Sequence, residues 1–485
     1  MNYLFLLKLV SPEAILALAA LVVLGLGLAR TGVRALCPAA AAVGLIAAAA
    51  AIFALPCHAA LPHGMLVIDP LTSMFKVICL ALALFTVLSA AGSPARANSG
   101  EYFAMILLAT IGLLILVGAE ELLMIFIGLE LLGLCLYVLC AFDKTSARGA
   151  EAGLKYFLFG STASAFTLFG LSLIYGMCGT TDLHEIAGFI GAHGMQPLLA
   201  AGLVLTLVGF GFKIAAAPFH LWAPDVYEAA PASSAAFISS GSKVASFVVL
   251  GKVLLTGFAP AHGGAGWHAL SAGWAPLVAV ISAASIVVGN LAALAQKSVR
   301  RLLGYSAVAH AGYTLLGLLA GGAEGFGSTL FYTTVYAFTL VGAFSVIAAM
   351  QRRGLGDRID DFAGLRARSP LLAGCMTVFM LSLAGLPPLP GFFGKFYLFM
   401  AVLHQGQGSK LLWLVILALA GSLVSLYYYL AVVKAALVDE AGAPAAPRLS
   451  LKMIECAPIA ALGALVLAFG FFPGPLLQGI LNSLL

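Results

Sequence analysis

The chain has 485 residues, of which 62 % are hydrophobic and only 9 % charged, with a formal net charge of +5. Soluble domains carry about 25 % charged residues, so a water-facing globular surface is excluded and the surrounding medium is lipid. The few basic residues are scattered or sit in small loop clusters without interleaved aromatics, which excludes a nucleic-acid partner, and the short alternating segments of a β-barrel are absent.

Apolar runs of about 20 residues, the length that crosses about 30 Å of hydrocarbon as a helix, predict an all-α polytopic membrane protein with about 14 spans. They begin near residues 3, 36, 70, 102, 120, 149, 197, 232, 272, 299, 327, 370, 410 and 454. The first run lacks a small-residue cleavage site and reads as a span, not a signal peptide. The cysteines, Cys37, Cys57, Cys79, Cys135, Cys140, Cys178, Cys375 and Cys456, form no CxxC pair and read as small hydrophobes. The longest connectors, 351–369 and 439–451, are too short for a nucleotide-binding or redox domain.

Loop charge predicts orientation. With the N-terminus outside, the loops after odd spans hold Arg30, Arg34, Arg96, Lys144, Arg148, Lys297, Arg300, Arg301, Arg352, Arg353, Arg358, Arg366, Arg368, Lys434, Arg448 and Lys452, while the opposite side holds little beyond Lys8 and Lys410. This asymmetry places the basic loops in the cytoplasm and both termini on the periplasmic side. Spans 4 to 8 and 9 to 13 form two units of five. The fourth member of each is broken by proline, at Pro218 or at Pro387, Pro388 and Pro390, and each carries a lysine, Lys213 or Lys395. Since five is odd, the second unit starts on the opposite side, which predicts inverted repeats with discontinuous helices. The expected organisation is spans 1 to 3 in 1–100, a first repeat in 101–258, a second in 259–438 and a last span in 439–485.

The ionisable residues inside the spans are the candidates for function. Glu130, Lys243 and His310 fall near the middle of their spans, and Lys213 and Lys395 flank the two breaks. Each central charge costs about 2.5–3.5 kcal/mol, so four cost roughly 10–14 kcal/mol, comparable to a domain's whole net stability of roughly 5–15 kcal/mol. Pairing, internal water or a lysine neutralised by desolvation lowers that cost, and all three describe a proton path. Lys155 is near enough to its span end to snorkel, His310 reads as a proton carrier or a core histidine, and His220 as a carrier or a cap of the broken helix. Lys76 and Lys252 read as structural or snorkelling residues, and tyrosines in the spans as packing and interfacial belts. In "FGFKIAAAPFHLWAPDVYEAAP" Pro218 removes a backbone donor and frees a carbonyl near Ile214. Non-helical backbone at this depth needs protein or water, so the stretch predicts a hydrated cavity, with Lys213 at its edge, His220 beyond and Asp225 and Glu228 at the cytoplasmic mouth. Lys395, just after the second break, is expected near the positive end of its half-helix.

Three stretches, "FGFKIAAAPFHLWAPDVYEAAP", "RLLGYSAVAHAGY" and "GLPPLPGFFGKFYLF", resemble the antiporter-like membrane subunits of respiratory complex I, NADH:quinone oxidoreductase, and the last resembles subunit N in particular. The resemblance spans essentially the whole chain. It implies a proton-translocating module in which Glu130 pairs with Lys213 and tunes it, Lys243 links two half-channels, Lys395 exchanges protons with the outer side, and Lys155 and His310 support them. One sister type carries glutamate at the Lys395 position and another a long C-terminal amphipathic extension, so Lys395 and the end at Leu485 favour subunit N. The resemblance also implies neighbouring antiporter-like and small membrane subunits, a lipid environment, a bacterial inner membrane, and no cofactor in this chain, the NAD, FMN, iron–sulfur clusters and quinone belonging to the assembled complex. A cation/proton antiporter subunit and a membrane subunit of a proton-pumping hydrogenase remain the alternatives.

Overall fold

The computed structural model describes residues 3–29, 31–91, 98–267, 269–404, 408–440 and 449–484. Arg30, Arg96 and Arg448, three of the basic loop residues, lie outside the described residues. The helices run in order α1 (Tyr3–Leu9), α2 (Ser11–Leu28), α3 (Thr31–Arg34), α4 (Cys37–Phe53), α5 (Pro70–Ala91), α6 (Ser99–Gly118), α7 (Leu122–Cys140), α8 (Ala147–Cys178), α9 (Leu183–His193), α10 (Pro197–Ile214) and α11 (Trp222–Ala229). They continue as α12 (Ala232–Ser239), α13 (Gly241–Lys252), α14 (Trp274–Leu294), α15 (Val299–Ala320), α16 (Gly322–Gln351), α17 (Leu365–Arg368), α18 (Pro370–Ala384), α19 (Pro390–His404), α20 (Gly408–Leu437), α21 (Met453–Phe471) and α22 (Pro473–Ser483). Among the described residues, twelve helical stretches are long and apolar enough to cross a membrane, and two shorter apolar helices, α4 and α18, bring the number to fourteen.

Local chemistry sets the ends of these helices. The side chains of Glu121, Ser146, Asp182, Ser298 and Ser369 cap α7, α8, α9, α15 and α18 by accepting from first-turn amides, and proline opens α4, α10 and α18 at positions whose N–H has no helical partner. Two helices start about a turn earlier than hydropathy suggested, at Ser99 and Gly322. The amphipathic helix α9 and the short terminal helix α22 were not anticipated, because neither is long enough to register as a span. All eight cysteines are free.

Burial separates an axis from a rim. The apolar windows of α16, α15 and the 232–257 run are 100 %, 94 % and 94 % buried within the protein, whereas those of α2 and α8 are 28 % and 33 % buried. Helices that face lipid can be apolar all round. Helices enclosed by other helices must satisfy their own polar side chains, so the central ones are where ionisable groups can be held.

Candidate functional site

The first interruption follows Ile214. Ala215 takes left-handed backbone angles (φ 57°), α10 ends, and a turn of three residues after Pro218, Phe219 to Leu221, leads into α11. The backbone released here is closed by protein. Ala216 N–H donates to Gly211 O at 2.8 Å, Ala217 N–H to Ser285 Oγ at 2.9 Å, and Trp222 Nε1 to Phe212 O at 3.0 Å. This corrects the expectation of a hydrated cavity at the break: Ala215, Ala216 and Ala217 are 0–2 % exposed, and side chains do what water was expected to do. His220 is buried in the same turn, its carbonyl accepting from Ala223 N–H at 2.9 Å, and its Nδ1 has no hydrogen-bond partner among the described residues.

Lys213 points from the last turn of α10 towards α7. Its Nζ has no hydrogen-bond acceptor among the described residues, lies 5.7 Å from the Tyr137 ring centre, and rests where a Cβ on Gly133 would stand only 2.8 Å away. Glu130, one turn before Gly133, instead accepts a hydrogen bond from Ser164 Oγ of α8. Glu130 and Lys213 therefore share one pocket between α7, α8 and α10 but form no direct ion pair in this structure, which corrects the expected pairing: the serine has taken the carboxylate, and Tyr137 stands beside the ammonium.

The second interruption lies between α18 and α19. Gly385 closes α18 at φ 86°, and a Cβ at Gly391 would stand 1.8 Å from Ser382 O, so the two half-helices meet at backbone distance. Lys395 reaches back from α19 across this junction. Its Nζ donates to Leu383 O at 3.3 Å, Ala384 O at 3.0 Å and Ser422 Oγ at 2.9 Å. The ammonium thus sits on the terminal carbonyls of α18, the negative end of a helix, and not at the positive end that its sequence position suggested. The long side chain, folded back by one turn, accounts for the difference.

Between these two lysines lies a polar hub on α13, α14, α15, α16 and α20. Lys243 Nζ donates to Ala307 O at 2.6 Å and lies 5.4 Å from the Tyr336 ring centre. His310, one turn further along α15, has the Tyr332 hydroxyl 2.6 Å from Nδ1 and the Tyr429 hydroxyl 3.0 Å from Nε2, and Tyr429 bonds Ser306 in turn. Tyr428 OH donates to Asn290 Oδ1 at 3.0 Å, Asn290 Nδ2 donates to Tyr313 OH at 2.8 Å, and the Tyr313 ring centre is 5.3 Å from Lys395 Nζ. Lys213, Lys243, His310 and Lys395 are 2–5 % exposed. Sequence reasoning had read these tyrosines as packing or belt residues, but their hydroxyls are members of the hub. The signal was present in "SLYYYL": a tyrosine far inside a span must find a polar partner for its hydroxyl.

Lys155 belongs elsewhere. Its Nζ is 2.8 Å from Glu151 and 2.9 Å from Asp225, and Arg301 bridges Asp225 (2.7 Å) and Glu228 (2.9 Å). These residues line a cavity of about 600 Å³ at one end of the bundle, with Arg300 behind it. Arg300 is buried and donates to Tyr227 O at 2.9 Å and to Ala230 O, tying α15 to the end of α11. Lys76 and Lys252 do not snorkel: they are 2 % and 4 % exposed and pair with Glu13 (2.7 Å) and Glu120 (3.0 Å). Among the described residues no group of three His, Cys, Asp or Glu side chains is placed to hold a metal ion.

The model of the family described as NADH:quinone oxidoreductase/Mrp antiporter, TM, matches residues 119–425. The chain belongs to this family. It is 45 % identical to NADH-quinone oxidoreductase subunit N 2 of Acidobacterium capsulatum, over 98 % of this chain and 99 % of that one, and 38 % identical to NADH-quinone oxidoreductase subunit N of Moorella thermoacetica, over 91 % and 90 %. Among solved structures, a chain of respiratory complex I from Thermus thermophilus with bound Aureothin superposes with a TM-score of 0.78 at 34 % identity, covering 96 % of this chain and 98 % of that one. A chain of the Mrp complex of a Dietzia species gives a TM-score of 0.82 at 21 % identity, over 99 % and 97 %, and shares the fold. The family matches the multi-pass, membrane-spanning architecture and the antiporter-like fold.

Proposed function

We propose that this chain is a proton-translocating membrane subunit of a bacterial NADH:quinone oxidoreductase, and that protons cross it by way of the buried row Lys213, Lys243, His310 and Lys395. The observation that carries the reading is the hub around His310. Two desolvated amines, Lys243 and Lys395, stand over tyrosine rings of the hub, and two phenolic hydroxyls meet the His310 imidazole, where charge is costly and aliphatic side chains would otherwise suffice. The Lys155–Asp225–Arg301 cavity supplies the cytoplasmic entrance and the Glu130–Lys213 pocket the first station. Glu130 acts on Lys213 through space, because Ser164 holds the carboxylate. Lys243 connects this station to His310, and Lys395 releases towards the periplasm. Spans 4 to 8 and 9 to 13 act as two inverted repeats, with both termini periplasmic. The chemistry of electron transfer, with NAD, FMN, iron–sulfur clusters and quinone, belongs to partner subunits, and neighbouring membrane subunits and lipid surround the rim helices.

Moving a proton against 100 mV costs about 2.3 kcal/mol, and a change of one pKa unit is about 1.4 kcal/mol. Small changes in the distance between Glu130 and Lys213 are therefore of the size needed to drive a step. The test of identity is purification of the tagged chain in mild detergent. Quinone-reducing flavoprotein subunits should co-purify in stoichiometric amount. Recovery of hydrogenase subunits, or of cation-antiporter subunits alone, would contradict the assignment.

A further inference from the structure

The proposed route leaves one buried lysine of the first half unused. Lys252 is the last residue of α13, nine residues after Lys243 and so about 13.5 Å further along the same helix. It lies at the end of the bundle opposite the Lys155–Asp225 cavity. Its Nζ is 3.0 Å from Glu120 Oε1 and donates to Val117 O at 3.1 Å. The second carboxylate oxygen of Glu120 is 3.3 Å from His184 Nε2, and the His184 side chain is 68 % exposed. Three titratable groups thus step from a site 4 % exposed to bulk solvent through contacts of 3.0–3.3 Å.

The local backbone is built around this point. Directly after Lys252 the chain makes a π-helical turn, Val253–Gly257, a distortion that concentrates at functional sites. Helix α9, which carries His184, packs its Leu183 against Gly257 of that turn. The connection holding Glu120 is pinned on both sides: Glu120 N–H donates to Gly64 O at 2.9 Å and Leu183 N–H to Glu120 O at 3.1 Å. Other ionisable groups around the cluster include Lys76, whose Cε lies against Gly118, Glu13 paired with it, Asp182, whose carboxylate caps α9, Glu121, whose carboxylate caps α7, and Glu185 in the first turn of α9, which accepts from Thr180. On the inner side, Ser246, one turn after Lys243, has a buried hydroxyl without a hydrogen-bond partner among the described residues.

Resting on the proton-translocating reading above, we propose that Lys252, Glu120 and His184 form a second proton outlet, serving the first half of the bundle and separate from the Lys395 arm. A proton leaving Lys243 passes along α13 by way of Ser246 and water to Lys252. The Lys252 ammonium gives it to the Glu120 carboxylate at Oε1, the neutral carboxyl group rotates to present that same proton to His184 Nε2, and the resulting imidazolium releases it to bulk water, leaving Glu120 again a carboxylate and His184 neutral. Each group returns to its starting state when the next proton arrives. The competing account is a static ion pair that ties Lys252 to the carbonyl end of α6. That account needs a cation but no proton release, which separates the two: arginine keeps the charge and the hydrogen bonds but holds its proton.

The experiment compares Lys252→Arg, Lys243→Arg and His184→Ala in the assembled complex in sealed vesicles, with complex content measured on native gels and proton translocation measured alongside NADH oxidation. The outlet predicts that Lys252→Arg assembles to wild-type content and slows translocation about twofold, because arginine holds its proton while the Lys395 arm stays open. His184→Ala, at an exposed position that leaves assembly intact, should slow it too and recover when imidazole is added on the side that His184 faces. Wild-type translocation in Lys252→Arg, or no imidazole rescue of a slowed His184→Ala, overturns the outlet. If Lys252→Arg fails to assemble, the imidazole arm alone decides. A defect in Lys243→Arg with normal Lys252→Arg and His184→Ala removes the outlet and leaves the main route standing, whereas normal translocation in all three removes both.

Discussion

The two interrupted helices carry the same signature in sequence and solve opposite problems in space. Lys213 precedes Pro218 by five residues and Lys395 follows Pro390 by five. At the first break, protein groups close the backbone and leave the lysine without an acceptor among the described residues, beside Tyr137, with Glu130 nearby but engaged by Ser164. At the second, the lysine itself closes the backbone by capping Leu383 and Ala384. Lys213 is thus a charge with little to hold it, suited to responding when Glu130 moves, and Lys395 is a charge with three donors in use. A lysine beside a proline break does not define one electrostatic setting; which half-helix carries it, and which carbonyls it can reach, does.

The largest effect that should follow concerns stability. Lys395→Met strands two terminal carbonyls and a serine hydroxyl, at about 1–3 kcal/mol for each buried group left unsatisfied. The purified complex should lose thermal stability and translocation together. Lys213→Met removes no hydrogen bond and nearly conserves volume, so it should change stability by less than about 1.5 kcal/mol while translocation falls as strongly. Equal stability loss in the two variants would erase the contrast between the sites.

Gly133→Ala sharpens the comparison from the other side. Its Cβ would stand 2.8 Å from Lys213 Nζ, so the lysine must swing away from α7. Translocation should fall several-fold with α7 otherwise undisturbed, since alanine is the better helix former by about 1 kcal/mol. Unchanged translocation would show that the position of Lys213 against α7 is not critical. The smallest effect is expected from Tyr332→Phe, which deletes the 2.6 Å hydrogen bond between its hydroxyl and His310 Nδ1 and about 1 kcal/mol of net hydrogen bonding. Translocation should slow modestly, and a complete loss would mean that Tyr332 itself relays the proton.

The spans were legible because lipid imposes a length on apolar runs, and the breaks because proline cannot donate to a helix. The buried lysines were legible as costs that packing alone does not explain. What escaped was direction. Whether Lys395 points forward to its own helix start or back to Ala384 depends on side-chain torsions, and whether Glu130 takes Lys213 or Ser164 depends on how α8 packs against α7. The hub tyrosines escaped because tyrosine serves equally as a belt residue and as a hydroxyl donor, and only the placement of His310 and Asn290 distinguishes the two. Lys252 escaped for a related reason: near a span end it could reach water, yet the loops around Glu120 and helix α9 fold over it.

The central claim, that the buried row carries protons and does not merely balance charge, is tested most directly at Lys243. Arginine there preserves the charge and can still donate to Ala307 O, but does not release its proton in the working range. Proton translocation by the assembled Lys243→Arg complex in sealed vesicles, normalised to complex content and to NADH oxidation, is the decisive measurement. The account predicts normal assembly with translocation reduced about tenfold or more; wild-type translocation in this variant would contradict it.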